Sequence, residues 1–117
     1  MSIDMNEYHR RCKRTLQLAS TKDVDDDIDI VMLTHACLKM SGEIGEVCDI
    51  VGKWMGQGHE LDKQRIIEEL GDVMWHIAEA CSALNISLDD VAWGNIVKVS
   101  IRYPDGFDPV KSVNRNT

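Results

Sequence analysis

The chain has 117 residues, a formal net charge of −7, and 44% hydrophobic residues, of which few are aromatic. This length is enough for one domain with a modest core, filled mainly by aliphatic and methionine side chains. The negative charge argues against a protein that binds nucleic acid or an anionic membrane by neutralising phosphates. A single nucleotide is not excluded, because a bound metal ion can neutralise nearby acids.

The composition also predicts a cytoplasmic location. No apolar run approaches the roughly 20 residues needed to span a bilayer, and the polar, basic segment 1–14 is unlike a signal peptide. The four cysteines are Cys12, Cys37, Cys48 and Cys81. None belongs to a CxxC pair and each lies in an apolar pattern, so we expect small buried side chains in a reducing compartment.

Four helices are predicted in chain order, and no convincing alternating strand appears. They cover about residues 4–19, 28–55, 62–84 and 87–103. The acidic segment 23–29 resembles the start of a calcium loop but lacks the glycine and the glutamate that such a loop needs. A solvated loop that leads into the negative first turn of the second helix explains it better.

These elements predict an all-α, four-helix bundle-like domain over residues 1–117, with its core at about 28–107 and an irregular tail at 108–117. Ser87 and Asp90 are typical of a capping box at the start of the fourth helix. The apolar stripes are wide, and one short chain does not cover them. We therefore expect a homo-oligomer with helices packed across the interface.

Two pairs of carboxylates flank a turn predicted at residues 56–59. Glu43 and Glu46 lie in the second helix, and Glu69 and Asp72 lie in the third. Each pair is spaced i, i+3, so both acids project from one side of their helix. The numbering is symmetric about the turn. Antiparallel packing therefore places Glu43 level with Asp72, and Glu46 level with Glu69.

At about 100° per residue, both pairs fall on the same shoulder of their apolar stripe. Packing the two stripes together therefore gathers four carboxylates in one patch. Like charges about 4 Å apart cost roughly 4 kcal/mol at an effective dielectric of about 20. Either some acids are protonated, or they splay into water, or a cation binds. All-oxygen ligands favour Mg²⁺, with Mn²⁺ as a substitute, and the nearby His76 belongs to no zinc pattern such as HExxH.

The fourth helix carries polar residues that complement the acids. Asn95, Lys98 and Arg102 share one shoulder of that helix. The two cations could hold phosphate oxygens, and arginine can do so with two hydrogen bonds. The alternative is that they form salt bridges with the acids of the third helix.

Three further residues of the second helix are candidate nucleotide contacts. Lys53, on the acidic shoulder, could contact phosphate or simply remain a surface lysine. His35, on the same shoulder, could contact a base or hydrogen-bond at the rim. Trp54, beside the turn, could stack on a nucleobase or pack at the edge of the core.

The arrangement Glu43-x-x-Glu46, 22 intervening residues and Glu69-x-x-Asp72 resembles that of the MazG-like nucleoside triphosphate pyrophosphohydrolases, within the all-α NTP pyrophosphohydrolase superfamily. The segment from Asn95 to Phe107 is also similar to the region after the third core helix in many members. The similarity covers about residues 33–107. Many members carry an acid where this chain has Gly42, so the first motif departs from the common pattern.

The resemblance implies a MazG-type fold, assembly as a dimer or tetramer, and hydrolysis of an NTP or dNTP between its α- and β-phosphates. The four acids would hold Mg²⁺, and one of them would activate the attacking water. Lys98 and Arg102 would stabilise the leaving pyrophosphate, and Asn95 would position the nucleotide. Gly42 favours an alternative, a catalytically weak module that binds a nucleotide–metal complex or a partner helix. A purely structural oligomer with an acidic edge is the third interpretation.

Overall fold

A computed structural model describes residues 1–16, 24–25 and 28–115 of the chain. Its helices are α1 (Met5–Lys13), α2 (Ile30–Gly56), α3 (Lys63–Ala83), α4 (Leu88–Arg102) and α5 (Pro109–Val113). Two short strands, β1 (Val24–Asp25) and β2 (Ile28–Asp29), pair in antiparallel fashion. The all-α fold class predicted from the sequence is therefore confirmed, with one two-residue ladder added.

The first helix is shorter than predicted. It begins after Asp4, whose side chain accepts a hydrogen bond from the backbone of Glu7, and it ends at Lys13. Thr15 Oγ1 then donates to the carbonyl oxygen of Cys12 at 3.0 Å, which satisfies an acceptor in the last turn. The predicted extension to residue 19 is wrong for residues 14–16, and residues 17–19 lie outside the described part of the chain.

The second helix starts two residues later than predicted. Ile28 and Asp29 are paired as strand β2, so neither can enter the helix. The Asp29 carboxylate instead accepts a hydrogen bond from the backbone N–H of Met32 at 2.9 Å. A carboxylate in this position stabilises the positive end of a helix, and α2 therefore begins at Ile30. The solvated loop predicted at residues 23–29 is wrong for residues 24–25 and 28–29, which form the two-stranded ladder, and residues 23, 26 and 27 lie outside the described part of the chain.

Side-chain caps define the later helices. Ser87 and Asp90 form the reciprocal capping box that the sequence predicts for α4. Asp108 caps α5, and Pro109 occupies its first turn, where the missing N–H of proline is harmless. The predicted irregular tail is therefore wrong for residues 109–113.

The helices α2 and α3 form an antiparallel hairpin, and their mutual contact is the most extensive in the fold. Helix α1 packs against α3 and α4. The core between these three helices consists of Cys12, Ala78, Cys81 and Leu88, with Met5, Tyr8, Trp75 and Ile77 packed around it. Trp75 Nε1 donates to Thr15 Oγ1 at 2.9 Å and fixes the end of α1 against α3. The carboxylate pairs lie outside this core, along the α2–α3 hairpin.

A large apolar surface stays exposed, above all on α4. Its exposed apolar side chains are Val91, Trp93, Ile96, Val97, Val99 and Ile101. Within the described part of the chain, no large side chain is fully buried. The radius of gyration is 17.4 Å, whereas a compact domain of this length has about 13 Å. The chain by itself thus leaves its apolar faces only partly covered.

The cysteines and the helix lengths bear on two further predictions. Cys12 and Cys81 are buried as predicted, but the expectation is wrong for Cys37 and Cys48, which are exposed on α2. All four are free thiols. None of the helices described is both long enough and apolar enough to cross a bilayer.

Candidate functional site

Three of the four predicted acids converge midway along the α2–α3 hairpin. Glu43, Glu69 and Asp72 each offer a carboxylate oxygen within 4.8 Å of the others. Glu43 and Glu69 are half-buried, and Asp72 is exposed. The side chains of Glu43 and Glu69 share a hydrogen bond, which raises the pKa of Glu69, and desolvation and the negative charge of Glu43 raise it further.

The fourth acid, Glu46, lies at the edge of the same group. It is exposed one helical turn beyond Glu43. The four acids, with Leu38, Lys39 and Gly42, line one cleft of about 460 Å³. The sequence symmetry predicted that Glu69 lies opposite Glu46. This pairing is only approximate, because Glu69 interacts with Glu43 instead. We call this space the acidic cleft.

The buried face of α2 lies closer to the acids than the sequence predicts. Met32, Ala36 and Ile50 are the buried residues of this helix, and at about 100° per residue they lie within about 20° of Glu43. By contrast, Ile44 and Val51, which the pattern assigns to the core stripe, are exposed. Helix α2 thus turns the side that carries Glu43 toward the interior, so Glu43 is half-buried at the wall of the cleft.

A chain of histidine and glutamate side chains lies behind Glu43. Glu79 is only 3% exposed. Its two carboxylate oxygens contact the Nδ1 atoms of His35, at 2.7 Å, and of His76, at 3.0 Å. The other ring nitrogen of His76, Nε2, is 4.0 Å from Oε1 of Glu43. His35 was predicted to contact a nucleobase, but its Nδ1 atom is hydrogen-bonded to the buried Glu79.

Sequence reasoning missed Lys39 and Glu79, and it set His76 aside because no zinc pattern surrounds it. All three fall on the acidic shoulders of their helices when about 100° is added per residue. Lys39 lies near 320° from Glu43, and His76 lies near 340° from Glu69. The same angular calculation that identified the acids could therefore have identified these three residues.

The predicted substrate contacts lie apart from the acidic cleft. Lys53 pairs with Asp49 at 2.9 Å, and Trp54 is 45% exposed beside the turn. Asn95 and Lys98 are exposed on α4.

Arg102, at the end of α4, borders a separate cleft of about 250 Å³ together with Tyr103, Lys111, Asn114 and Arg115. Three of these side chains are cationic, so this second cleft suits an anion. Lys111 and Arg115 were missed because the sequence reading placed them in an irregular tail. In the described part of the chain, the residues of α4 do not line the acidic cleft.

The donor set of the acidic cleft fits a hard divalent cation. Carboxylate oxygens are the ligands that Mg²⁺ and Mn²⁺ prefer, and three of them lie within mutual reach. The raised pKa of Glu69 reflects the repulsion between these carboxylates, and a bound cation would relieve that repulsion.

The raised pKa of Glu69 predicts how the stability of the protein depends on pH. Because folding raises the pKa of Glu69 above its usual value of 4.5, the stabilisation is complete below that value and is lost as pH rises through the raised pKa. In EDTA, we expect Glu69→Gln to become progressively more stable than the wild type between about pH 4 and 7. Urea unfolding of both proteins at each pH measures the difference. A difference that is constant across this range would contradict the assignment.

Comparison with known proteins agrees with this geometry. Residues 33–107, which include all four acids, match the MazG nucleotide pyrophosphohydrolase domain. The chain is also similar to the Gene 37 protein of Mycobacterium phage L5, with 29% identity over 87 residues that cover 71% of this chain and 76% of that protein. Comparison with solved structures gives no match. Since the family match spans more than half of the sequence, the chain belongs to the MazG nucleotide pyrophosphohydrolase domain family.

Proposed function

We propose that the protein is a Mg²⁺-dependent hydrolase that cleaves an NTP or dNTP between the α- and β-phosphates, giving a nucleoside monophosphate and pyrophosphate. The observation that supports this most is the convergence of Glu43, Glu69 and Asp72 in an open cleft. A cluster of carboxylates alone would be a surface feature. In a chain of this family it coincides with the two acidic motifs, and the raised pKa of Glu69 reports the repulsion that a cation would relieve.

In this mechanism Glu43, Glu69 and Asp72 would hold the cation, and Glu46 would complete the set from the edge of the cleft. When bound, Mg²⁺ would supply polarisation of a phosphoryl oxygen and activation of a water molecule. One carboxylate of the set would accept a proton from the attacking water. Lys39, at the cleft wall, provides a positive charge for the phosphates.

The contacts predicted on α4 require a second copy of the chain. Asn95, Lys98 and Arg102 do not line the acidic cleft described above. The apolar side chains around them on α4 are exposed, and such a surface is typical of a subunit interface. We propose that a homodimer or homotetramer buries this surface and brings Lys98 and Arg102 of one subunit to the phosphates held by another.

This assembly predicts the effect of a charge on α4. Trp93 is 69% exposed, and replacing it with glutamate places a charge in the proposed interface, where an unpaired charge is costly. We expect Trp93→Glu to sediment as a monomer in analytical ultracentrifugation and to lose pyrophosphate release. Val113→Glu, at an exposed position of α5, should keep the wild-type mass. A wild-type chain that sediments as a monomer at micromolar concentration would exclude the assembly.

One feature favours the alternative of a catalytically weak nucleotide-binding module. Gly42 lines the acidic cleft at a position where many family members carry an acid. A glycine there provides no carboxylate to orient the ligands of the cation. Under this alternative the protein binds nucleotide and metal but releases no product.

A release screen decides between the two functions. The purified chain is incubated with canonical and damaged NTPs and dNTPs, with Mg²⁺ or Mn²⁺, and pyrophosphate and orthophosphate are measured separately. Pyrophosphate from any nucleotide supports the hydrolase. Calorimetric binding without release supports the weak module, and neither binding nor release leaves only a structural oligomer. The same screen identifies the preferred base and sugar, whereas the expected cytoplasmic location stays a prediction.

A further inference from the structure

The buried carboxylate of Glu79 is compensated by two histidine side chains, one from α2 and one from α3. At 3% exposure it has almost no contact with water, and a buried charge without partners is strongly destabilising. Both of its oxygens are engaged, one with Nδ1 of His35 and the other with Nδ1 of His76. In the described residues, every fully buried side-chain nitrogen or oxygen has a hydrogen-bond partner, so the Glu79 carboxylate is fully hydrogen-bonded.

These two bonds indicate which nitrogen of each imidazole ring carries the hydrogen. A carboxylate accepts hydrogen bonds, so we assign each Nδ1 as the donor. In a neutral imidazole with hydrogen on Nδ1, the other nitrogen carries a free lone pair. Histidine ligands of metal ions are commonly held in this way, with a carboxylate behind the ring and the opposite nitrogen directed at the ion. His76 thus has the orientation and tautomer of a ligand.

The free nitrogen of His76 lies next to Glu43, one of the acids that line the acidic cleft. Its Nε2 atom is 4.0 Å from Oε1 of Glu43, which is too long for a hydrogen bond of about 2.7–3.2 Å. Two metal–ligand bonds of about 2.1 Å each can span this gap. His76 is itself 6% exposed, and the ring of Trp75 packs edge-on against it, with centroids 5.0 Å apart. The imidazole is therefore held in place before any ion arrives.

We propose that His76 is a nitrogen ligand of the cation bound in the acidic cleft, that Glu79 holds it in the required tautomer, and that this nitrogen raises the affinity of the site for Mn²⁺ relative to Mg²⁺. The proposal rests on the proposed function in that it assumes a cation bound by Glu43 and its neighbours. Imidazole binds transition-metal ions well, whereas Mg²⁺ favours sites made only of oxygen. A site with one nitrogen among its carboxylates therefore binds Mn²⁺ more tightly than an all-carboxylate site would.

Electron spin-echo spectroscopy of bound Mn²⁺ tests the ligand directly, without any measurement of activity. The full chain is loaded with less than one equivalent of Mn²⁺, and modulation of the echo by ¹⁴N is recorded. We expect ¹⁴N modulation in the wild type and in His59→Ala, whose histidine lies in the exposed turn. His76→Ala should lose the modulation and should lower the ratio of Mn²⁺ to Mg²⁺ affinity about tenfold or more, as removal of metal-site groups commonly does.

Two variants keep the result interpretable. Glu79→Gln replaces one of the two acceptor oxygens with an NH₂ donor, so it disturbs the pairing that holds the tautomer and should weaken the modulation with the His76 side chain still present. His35→Ala should retain the modulation. Loss of the signal in both His35→Ala and His76→Ala would place the ion between the two Nδ1 atoms and Glu79, and would overturn the proposal.

The remaining outcomes separate this inference from the proposed function. Mn²⁺ that binds without ¹⁴N modulation, and whose binding is weakened by Glu69→Gln, would overturn the role of His76 and leave the hydrolase proposal intact. A wild-type chain that binds no Mn²⁺ or Mg²⁺ in a calorimetric titration would overturn both.

Discussion

Replacing Glu69 with glutamine is expected to reduce pyrophosphate release by more than about 100-fold, the upper end of the loss caused by groups that only support a metal ligand. Glu69 lies at the centre of the carboxylate cluster, within reach of both Glu43 and Asp72. Glutamine keeps the size of the side chain but removes the charge that would hold the cation. The repulsion with Glu43 also disappears, so the variant should fold at least as stably as the wild type in EDTA.

The neighbouring residue provides a matched control. Glu68 is exposed and does not line the acidic cleft, so Glu68→Gln makes the same change of charge one residue away. It should leave turnover within about twofold, as expected for a surface position. Thermal unfolding with and without Mg²⁺ should show stabilisation by the ion in Glu68→Gln but not in Glu69→Gln. Equal turnover in the two variants would remove Glu69 from the mechanism.

Truncation of Leu88 is expected to have the largest effect on stability. Leu88 is 7% exposed at the start of α4 and packs into the core with Cys12, Ala78 and Cys81. Leu88→Ala should lower the free energy of unfolding by about 2–4 kcal/mol, because it removes buried methyl groups and leaves a cavity between three helices. That is a large share of the roughly 5–15 kcal/mol that stabilises a domain.

Urea denaturation followed by circular dichroism measures this loss, with Val113→Ala as its control. Val113 is 84% exposed, so its truncation should change the free energy by no more than about 0.5 kcal/mol. A loss below about 1 kcal/mol for Leu88→Ala would mean that the junction of α1, α3 and α4 contributes little to folding.

The helices and the acidic motifs could be predicted from the sequence because local signals specify them. Ser87 and Asp90 satisfy each other within one turn, and the two-residue error at the start of α2 is small. The register of the hairpin also follows from symmetry about the turn. His35 and Glu79, which lie at nearly equal distances from that turn, are hydrogen-bonded at 2.7 Å.

The errors concern interactions that a local pattern does not contain. The strand pairing that delays α2 joins residues 24–25 to residues 28–29. The rotation of α2 that buries Ala36 and exposes Ile44 depends on which part of a wide apolar stripe α3 covers. The bond from Glu43 to Glu69 follows from that rotation. Lys98 and Arg102 could be placed on a shared face of α4, but their distance from the acids depends on assembly.

The placement of all the acids on one hairpin also affects how the chain folds. The α2–α3 contact joins residues that are close in sequence, and local contacts of this kind form early and fast. Here the two arms must approach while like charges converge near the middle, at Glu43, Glu69 and Asp72. Closure of the hairpin is therefore the kinetic step most sensitive to counterions. Refolding should accelerate in the presence of a divalent salt and slow in its absence.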